Sequence, residues 1–244
     1  MLILTLILLV LLILVCGRQG WIIFLSLAGS FLVLLVVMML IADQFPALIV
    51  GVLAAIALVY LAIYPNTQNP ATRKTAIWGT LIVLAGLLVL AEILINLAFG
   101  HGFALEDTDE IEQFVLAVGV SFPQIQVVVT LFSSLGAVAE ASIAVSSGIW
   151  EIVDQQPQIS PARLWRAGLA IGFKNISTAI NTLLFGFFGS YLTLGLWFLQ
   201  LHYSVAEIFN NTILATAVVE LLLAVLGIIA TIFLTNYLVR WQRR

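Results

Sequence analysis

Charge is what this chain has least of. Only 9% of its 244 residues are Asp, Glu, Lys or Arg, while 63% are hydrophobic. Soluble domains carry roughly a quarter charged residues and about half apolar ones, so an integral membrane protein is expected. The formal charge of −3 comes with no basic surface, which argues against a nucleic-acid partner. A lone cysteine, Cys16, excludes an intramolecular disulfide. The two histidines, His101 and His202, fall outside the apolar runs and lack metal-ligand spacing, so no metal centre is expected. With no Asp or His in an apolar run, an aspartyl dyad, a Ser–His pair and a zinc-protease helix are disfavoured. No nucleotide-binding loop is present. The chain is expected to be neither an enzyme nor a cofactor protein, and any transport would draw on a gradient or a partner.

What is present is a series of apolar runs, at roughly 1–16, 21–42, 47–64, 76–99, 122–153, 172–200 and 211–239, each read as a bilayer span. The first lacks a preceding Lys or Arg and a following cleavage pattern, and Val15 before Cys16 spoils a lipoprotein signal. It is expected to be a retained helix, short for a span. Seven spans place Arg18, Arg73, Lys74, Arg163, Arg166, Lys174, Arg240, Arg243 and Arg244 on one side. Asp43, Glu106, Asp107, Asp109, Glu110, Glu112 and Glu207 fall on the other. Basic residues collect on the cytoplasmic side, so the N-terminus is expected outside and the C-terminus inside. The fold class is an all-α polytopic bundle forming one domain over 1–244, with short interfacial helices.

Three local signals refine this. Asp107-Thr108-Asp109-Glu110, followed by Ile111, Phe114, Val115 and Val118, predicts a short amphipathic outer helix. Ser160-Pro161 predicts a helix start stapled by Ile159 on Leu164, with Trp165 at interfacial level. Ser204-Val205-Ala206-Glu207 is a capping box expected to start the last helix, stapled by Tyr203 and Ile208. The fifth span exceeds the hydrocarbon thickness and must tilt, protrude or bend, with Gly136 the candidate bend. No internal repeat is visible, so an inverted-repeat transporter gains no support.

The densest polar set in apolar surroundings lies at 131–191. Ser133, Ser134, Gly136, Glu140 and Ser147 stand before the break at Gln155-Gln156-Pro157-Gln158. Lys174, Asn175, Ser177, Thr178, Asn181 and Thr182 follow it. Polar side chains at membrane depth mark interiors and pathways. Helix rise puts Glu140 roughly 5 Å, and Thr182 about 6 Å, to the cytoplasmic side of their spans' centres. Glu92 and Glu220 sit about 7 Å to the outer side of theirs. The expectation is an ion or substrate pathway level with Glu140, Ser147, Asn181, Thr182 and Lys174, and a second level with Glu92, Asn96, Thr216 and Glu220. Together they would form a carboxylate relay or cation site. Plainer readings exist. Glu92 and Glu220 can be helix–helix contacts, and Lys174 can snorkel to the inner surface. Ser133, Ser134, Gly136, Gly186 and Gly189 can serve close helix packing. The acidic patch 106–112 can be a solvated helix start, since Ile111 and Glu112 spoil a calcium loop.

The same stretch resembles the YibE/F-like family of bacterial membrane proteins. The resemblance rests on Ser134-Leu135-Gly136-Ala137-Val138-Ala139-Glu140 and Ser146-Ser147-Gly148-Ile149-Trp150-Glu151-Ile152. It continues through Ala167-Gly168-Leu169-Ala170-Ile171-Gly172 and Asn181-Thr182-Leu183. It is distinctive over about 131–190 and weaker over roughly 105–239, and the first three spans add nothing specific. Two departures stand out. The family pattern has Asp where Glu140 stands, and Arg-Asp where this chain has Phe173-Lys174, so a role for that charge pair does not carry over. The resemblance implies a polytopic protein of the bacterial cytoplasmic membrane and a longer YibE/F-like membrane partner. The leading expectation is a permease subunit with its pathway between spans five, six and seven. The rival is a scaffold whose polar helix faces bind a partner membrane protein.

Overall fold

The computed structural model describes residues 2–97 and 121–243. Among them eight helices and no strand are found: α1 Leu2–Cys16, α2 Arg18–Ala42, α3 Ala47–Ile63, α4 Pro70–Leu97, α5 Phe122–Gln155, α6 Pro161–Gln200, α7 Val205–Asn210 and α8 Thr212–Gln242. Over the described residues every expected apolar run forms a helix, with ends shifted by a residue or so at Tyr64 and Asn211. Five helices (α2, α4, α5, α6 and α8) are long and apolar enough to cross a membrane. With 15 and 17 residues, α1 and α3 are shorter apolar helices. The expected seven spans thus reduce to five by length. Helices also outrun the apolar runs, since α6 begins at Pro161 rather than near 172: backbone hydrogen bonding continues where the lipid ends. The amphipathic helix expected over 107–118, the acidic patch and His101 lie outside the described residues.

Local chemistry sets the boundaries. Between α1 and α2 the chain turns at Gly17, whose φ of +59° suits glycine. The Ser160 side chain accepts the Arg163 N–H at 3.4 Å, and Pro161 opens α6. The 156–159 connector is clamped from the far end of the chain: Arg243 donates to the carbonyls of Ile159, at 2.9 Å, and Pro157. The Ser204 capping box forms with both its bonds present. It starts the six-residue α7, not the last long helix, which is a correction. Asn211 is extended and its side chain accepts from Ile213 and Leu214 N–H, giving α8 its own cap and separating the two helices. The backbone N–H of Ser204, and then its side chain, hold the Glu207 carboxyl below the usual range.

The molecule is organised on α5, which packs against α3, α4, α6 and α8. One apolar cluster joins α3, α4, α5 and α8 through Val59, Ile63, Val138 and Leu223. A second joins α5, α6 and α8 through Ile149, Leu164, Ile228 and Ile232. Small and polar groups fill the crossings. The Trp150 indole N–H donates to the Thr75 hydroxyl at 3.0 Å, and Thr75 pairs with Gln242 at 2.7 Å. Ser142 reaches the Ala76 carbonyl at 3.1 Å and Thr235 at 3.2 Å, directly beside Gly79. Asn236 donates to the Trp165 carbonyl at 2.8 Å, against Gly168. These bonds satisfy groups that lipid could not.

The glycines that permit close approach are therefore Gly51, Gly79, Gly148, Gly168, Gly172 and Gly227, where a Cβ would collide with a neighbouring helix's side chain, and Gly20, where it would meet the Leu12 backbone. The expectation for Gly136, Gly186 and Gly189 is corrected. A Cβ there would meet nothing within 4 Å. All three are exposed, with Gly136 between Ser133 and Glu140 on α5 and Gly186 between Thr182 and Ser190 on α6, and α5 runs as one helix through Gly136.

Candidate functional site

Two clefts lie along the seam where α6 meets α5 and α8. The first, of about 190 Å³, is lined by Glu140 of α5 and Asn175, Thr178 and Thr182 of α6, with Ala144 and Ile232 among its apolar walls. Three- and four-residue spacings put Asn175, Thr178 and Thr182 on one side of their helix. The antiparallel neighbour supplies Glu140 at the same level. The Thr182 hydroxyl donates its proton to the Thr178 carbonyl at 2.9 Å, which leaves its oxygen lone pairs free. Among the described residues no hydrogen bond reaches the Glu140 carboxylate.

The second cleft, of about 290 Å³, is lined by Ser133, Thr182, Ser190, Tyr191 and Glu220. Here the carboxylate is held. The Gln126 amide donates to Glu220 Oε1, while the Ser133 hydroxyl beside it donates to the Val129 carbonyl at 2.9 Å. Thr182 belongs to both clefts. From Asn175 to Ser190 the α6 wall covers about 22 Å at 1.5 Å per residue, a large part of the roughly 30 Å hydrocarbon layer. No Lys or Arg lines either cleft. Each presents one carboxylate and neutral oxygens, an arrangement that favours positive charge.

The expected residues sort unevenly. Glu140 and Thr182 come together. Ser147, Asn181 and Lys174 are exposed and outside the lining of either cleft. At the second level Glu220 meets Gln126 and Ser133, while Glu92 and Asn96 are not part of its cleft. The Asn96 amide instead donates to Glu92 Oε1 at 3.2 Å and to the Glu92 carbonyl at 2.6 Å. Glu92 Oε2 is buried without a partner among the described residues. Thr216 is buried and donates to the Thr212 carbonyl at 2.7 Å.

Sequence reasoning missed Gln126 and Tyr191, and left Asn175 and Thr178 out of the site. Gln126 had a usable signal, since it precedes Ser133 by two helical turns and shares its face. Phe173, standing where the family pattern has Arg, packs edge-on to Phe233 of α8, with ring centroids 6.4 Å apart.

Five apolar helices of spanning length around a polar seam define an α-helical integral membrane protein. The family model for YibE/F-like protein matches residues 4–244, and the chain belongs to that family. The match reaches into α1, so the first three helices fall within the matched residues. No curated protein and no solved structure matches the chain.

Proposed function

We propose that this chain is a non-enzymatic permease subunit of the bacterial cytoplasmic membrane, passing a small cationic solute or proton along the α5–α6–α8 seam. The observation that carries the reading is the pair of clefts sharing Thr182, each with one carboxylate and no basic residue. Glu140 is the exchanging group and Glu220 the second station. In this reading α1 and α3 complete seven spans, with the N-terminus outside and the C-terminus cytoplasmic, which a reporter fused after Arg244 checks. Purified protein in liposomes, with a pH or cation gradient imposed, tests the function. Wild type dissipates the gradient and Glu140→Gln does not. Equal rates for Glu140→Gln and wild type sink the reading.

A scaffold reading is favoured by one observation: Gly136 and Gly189, outside the lining of either cleft, face open space. Small residues there suit a close-packed helix of a longer YibE/F-like membrane partner. It predicts no flux from this chain alone, and loss of co-purification with that partner when Gly189 becomes Leu.

A further inference from the structure

The two carboxylates of the seam are in different states, and the difference identifies the ligand class. Glu220 is engaged by Gln126. Glu140 has no hydrogen-bond partner among the described residues, although its cleft walls carry Asn175, Thr178 and Thr182. A carboxylate in low-dielectric surroundings calls for one compensating positive charge, and no Lys or Arg lines this cleft to supply it.

We infer that the Glu140 cleft is a binding site for a monovalent metal cation, with Glu140 as its one charged ligand and Asn175, Thr178 and Thr182 as neutral oxygen donors. Charge decides the valence. One carboxylate neutralises one positive charge, whereas calcium sites assemble several carboxylates among six to eight oxygens. Donor type decides the class of metal. The cleft lining has no His or Cys, which zinc, copper and iron sites use, and among the described residues no cluster of acidic, His and Cys side chains could hold a metal ion. Thr182 already spends its hydroxyl proton on the Thr178 carbonyl, so its oxygen meets the site as an acceptor, as a cation requires. Glu220 is a held group, not a second equivalent site.

This rests on the permease reading's choice of cleft, but its test needs no transport. Carbodiimide reacts with protonated carboxyl groups, so a cation bound at Glu140 competes with the proton and slows labelling. The full-length protein in liposomes is labelled in sodium chloride, potassium chloride, magnesium chloride or choline chloride at equal ionic strength, with Glu140→Gln identifying the site. Sodium or potassium is expected to slow Glu140 labelling severalfold relative to choline, and magnesium is not. The protection persists in Glu220→Gln. Thr178→Val raises the concentration needed without changing the rate in choline. Equal labelling in all four salts overturns the inference, as does protection by magnesium matching that of sodium or potassium. Protection without flux leaves the site standing and removes the permease; flux without protection does the reverse.

Discussion

Two glycine-to-alanine changes separate packed glycines from open ones within this bundle. At Gly227 of α8 an added Cβ would lie 2.8 Å from Leu87 Cδ1 and 2.8 Å from Val138 Cγ2. Leu87 is a flexible chain end that can move. Val138 is β-branched and completely buried, so it cannot turn away. The helices must part by a few tenths of an ångström or more, and overpacking of this kind costs about 1–3 kcal/mol. At Gly136 of α5 the same Cβ meets nothing within 4 Å. Both sites are helix interiors, so the propensity gain of about 1 kcal/mol is common to both. It cancels in the comparison, leaving the collision as the difference. Gly136→Ala is expected to match or exceed wild-type stability. Gly227→Ala should fall below Gly136→Ala by about 2 kcal/mol, or roughly 4–8 °C in Tm for a chain of this length. Thermal unfolding of the purified protein in detergent, followed by tryptophan fluorescence, measures this. Equal melting of the two variants, or a larger loss at Gly136, refutes the assignment of open and packed faces.

Other consequences are as direct. Gln126→Leu removes the amide that holds Glu220; it should cost about 1–3 kcal/mol and raise carbodiimide labelling at Glu220, read by peptide mass. Trp150→Phe deletes the N–H donor to Thr75 while keeping most of the ring, and is expected to lower stability by about 1 kcal/mol in the same melting assay. The bonds from Ser204 depress the Glu207 carboxyl, so the cap's contribution is present at neutral pH and lost as pH falls through that lowered value. Ser204→Ala removes only the side-chain bond and keeps the backbone N–H, so it should move the Glu207 titration, followed by carbon NMR, part of the way back up towards the ordinary carboxylate range. A Glu207 titration already in the ordinary range in the wild type would mean the cap does not form in solution.

Depth along a helix was readable from the sequence, and direction around the bundle was not. Counting residues puts Glu92 and Glu220 at similar heights, yet the structure seats Glu220 on Gln126 of α5, while Glu92 is bonded by Asn96 on its own helix. Which side of α4 meets which side of α8 depends on glycine and side-chain fit at the crossings, and no periodicity encodes that. Caps were legible where a side chain acts locally, as at Ser160 and Ser204. Asn211 escaped because the Ser204 box already supplied a start for the last helix, although Asn210-Asn211-Thr212 interrupts the run that follows it. Asn175 and Thr178 escaped for a related reason. The run from Lys174 to Thr182 is polar on several sides, and only the position of Glu140 across the seam shows which side is used.

The seam has one fixed wall and one loosely held wall. Over half of the apolar stretch of α5, 56%, is buried inside the chain, and 39% of that of α8, but only 6% of that of α6. Tight crossings tie α6 down near its N-terminal end, where Gly168 and Gly172 meet Asn236 and Ile232. Beyond Thr182 its flank carries Phe185, Phe188 and Leu192, all exposed. Segments with few buried contacts open at lower free energy than the core they lean on. Tilting of α6 about its anchored end would widen the cleft at Glu220 more than the cleft at Glu140, because displacement grows with distance from the anchor. The engaged carboxylate therefore lies where the wall can move, and the unpartnered one where it is held. In the permease reading this is a division of labour. The fixed cleft keeps its donors at constant spacing for the cation, and Gln126 holds Glu220 within the α5–α8 wall, facing the part of α6 that must swing away to let it leave.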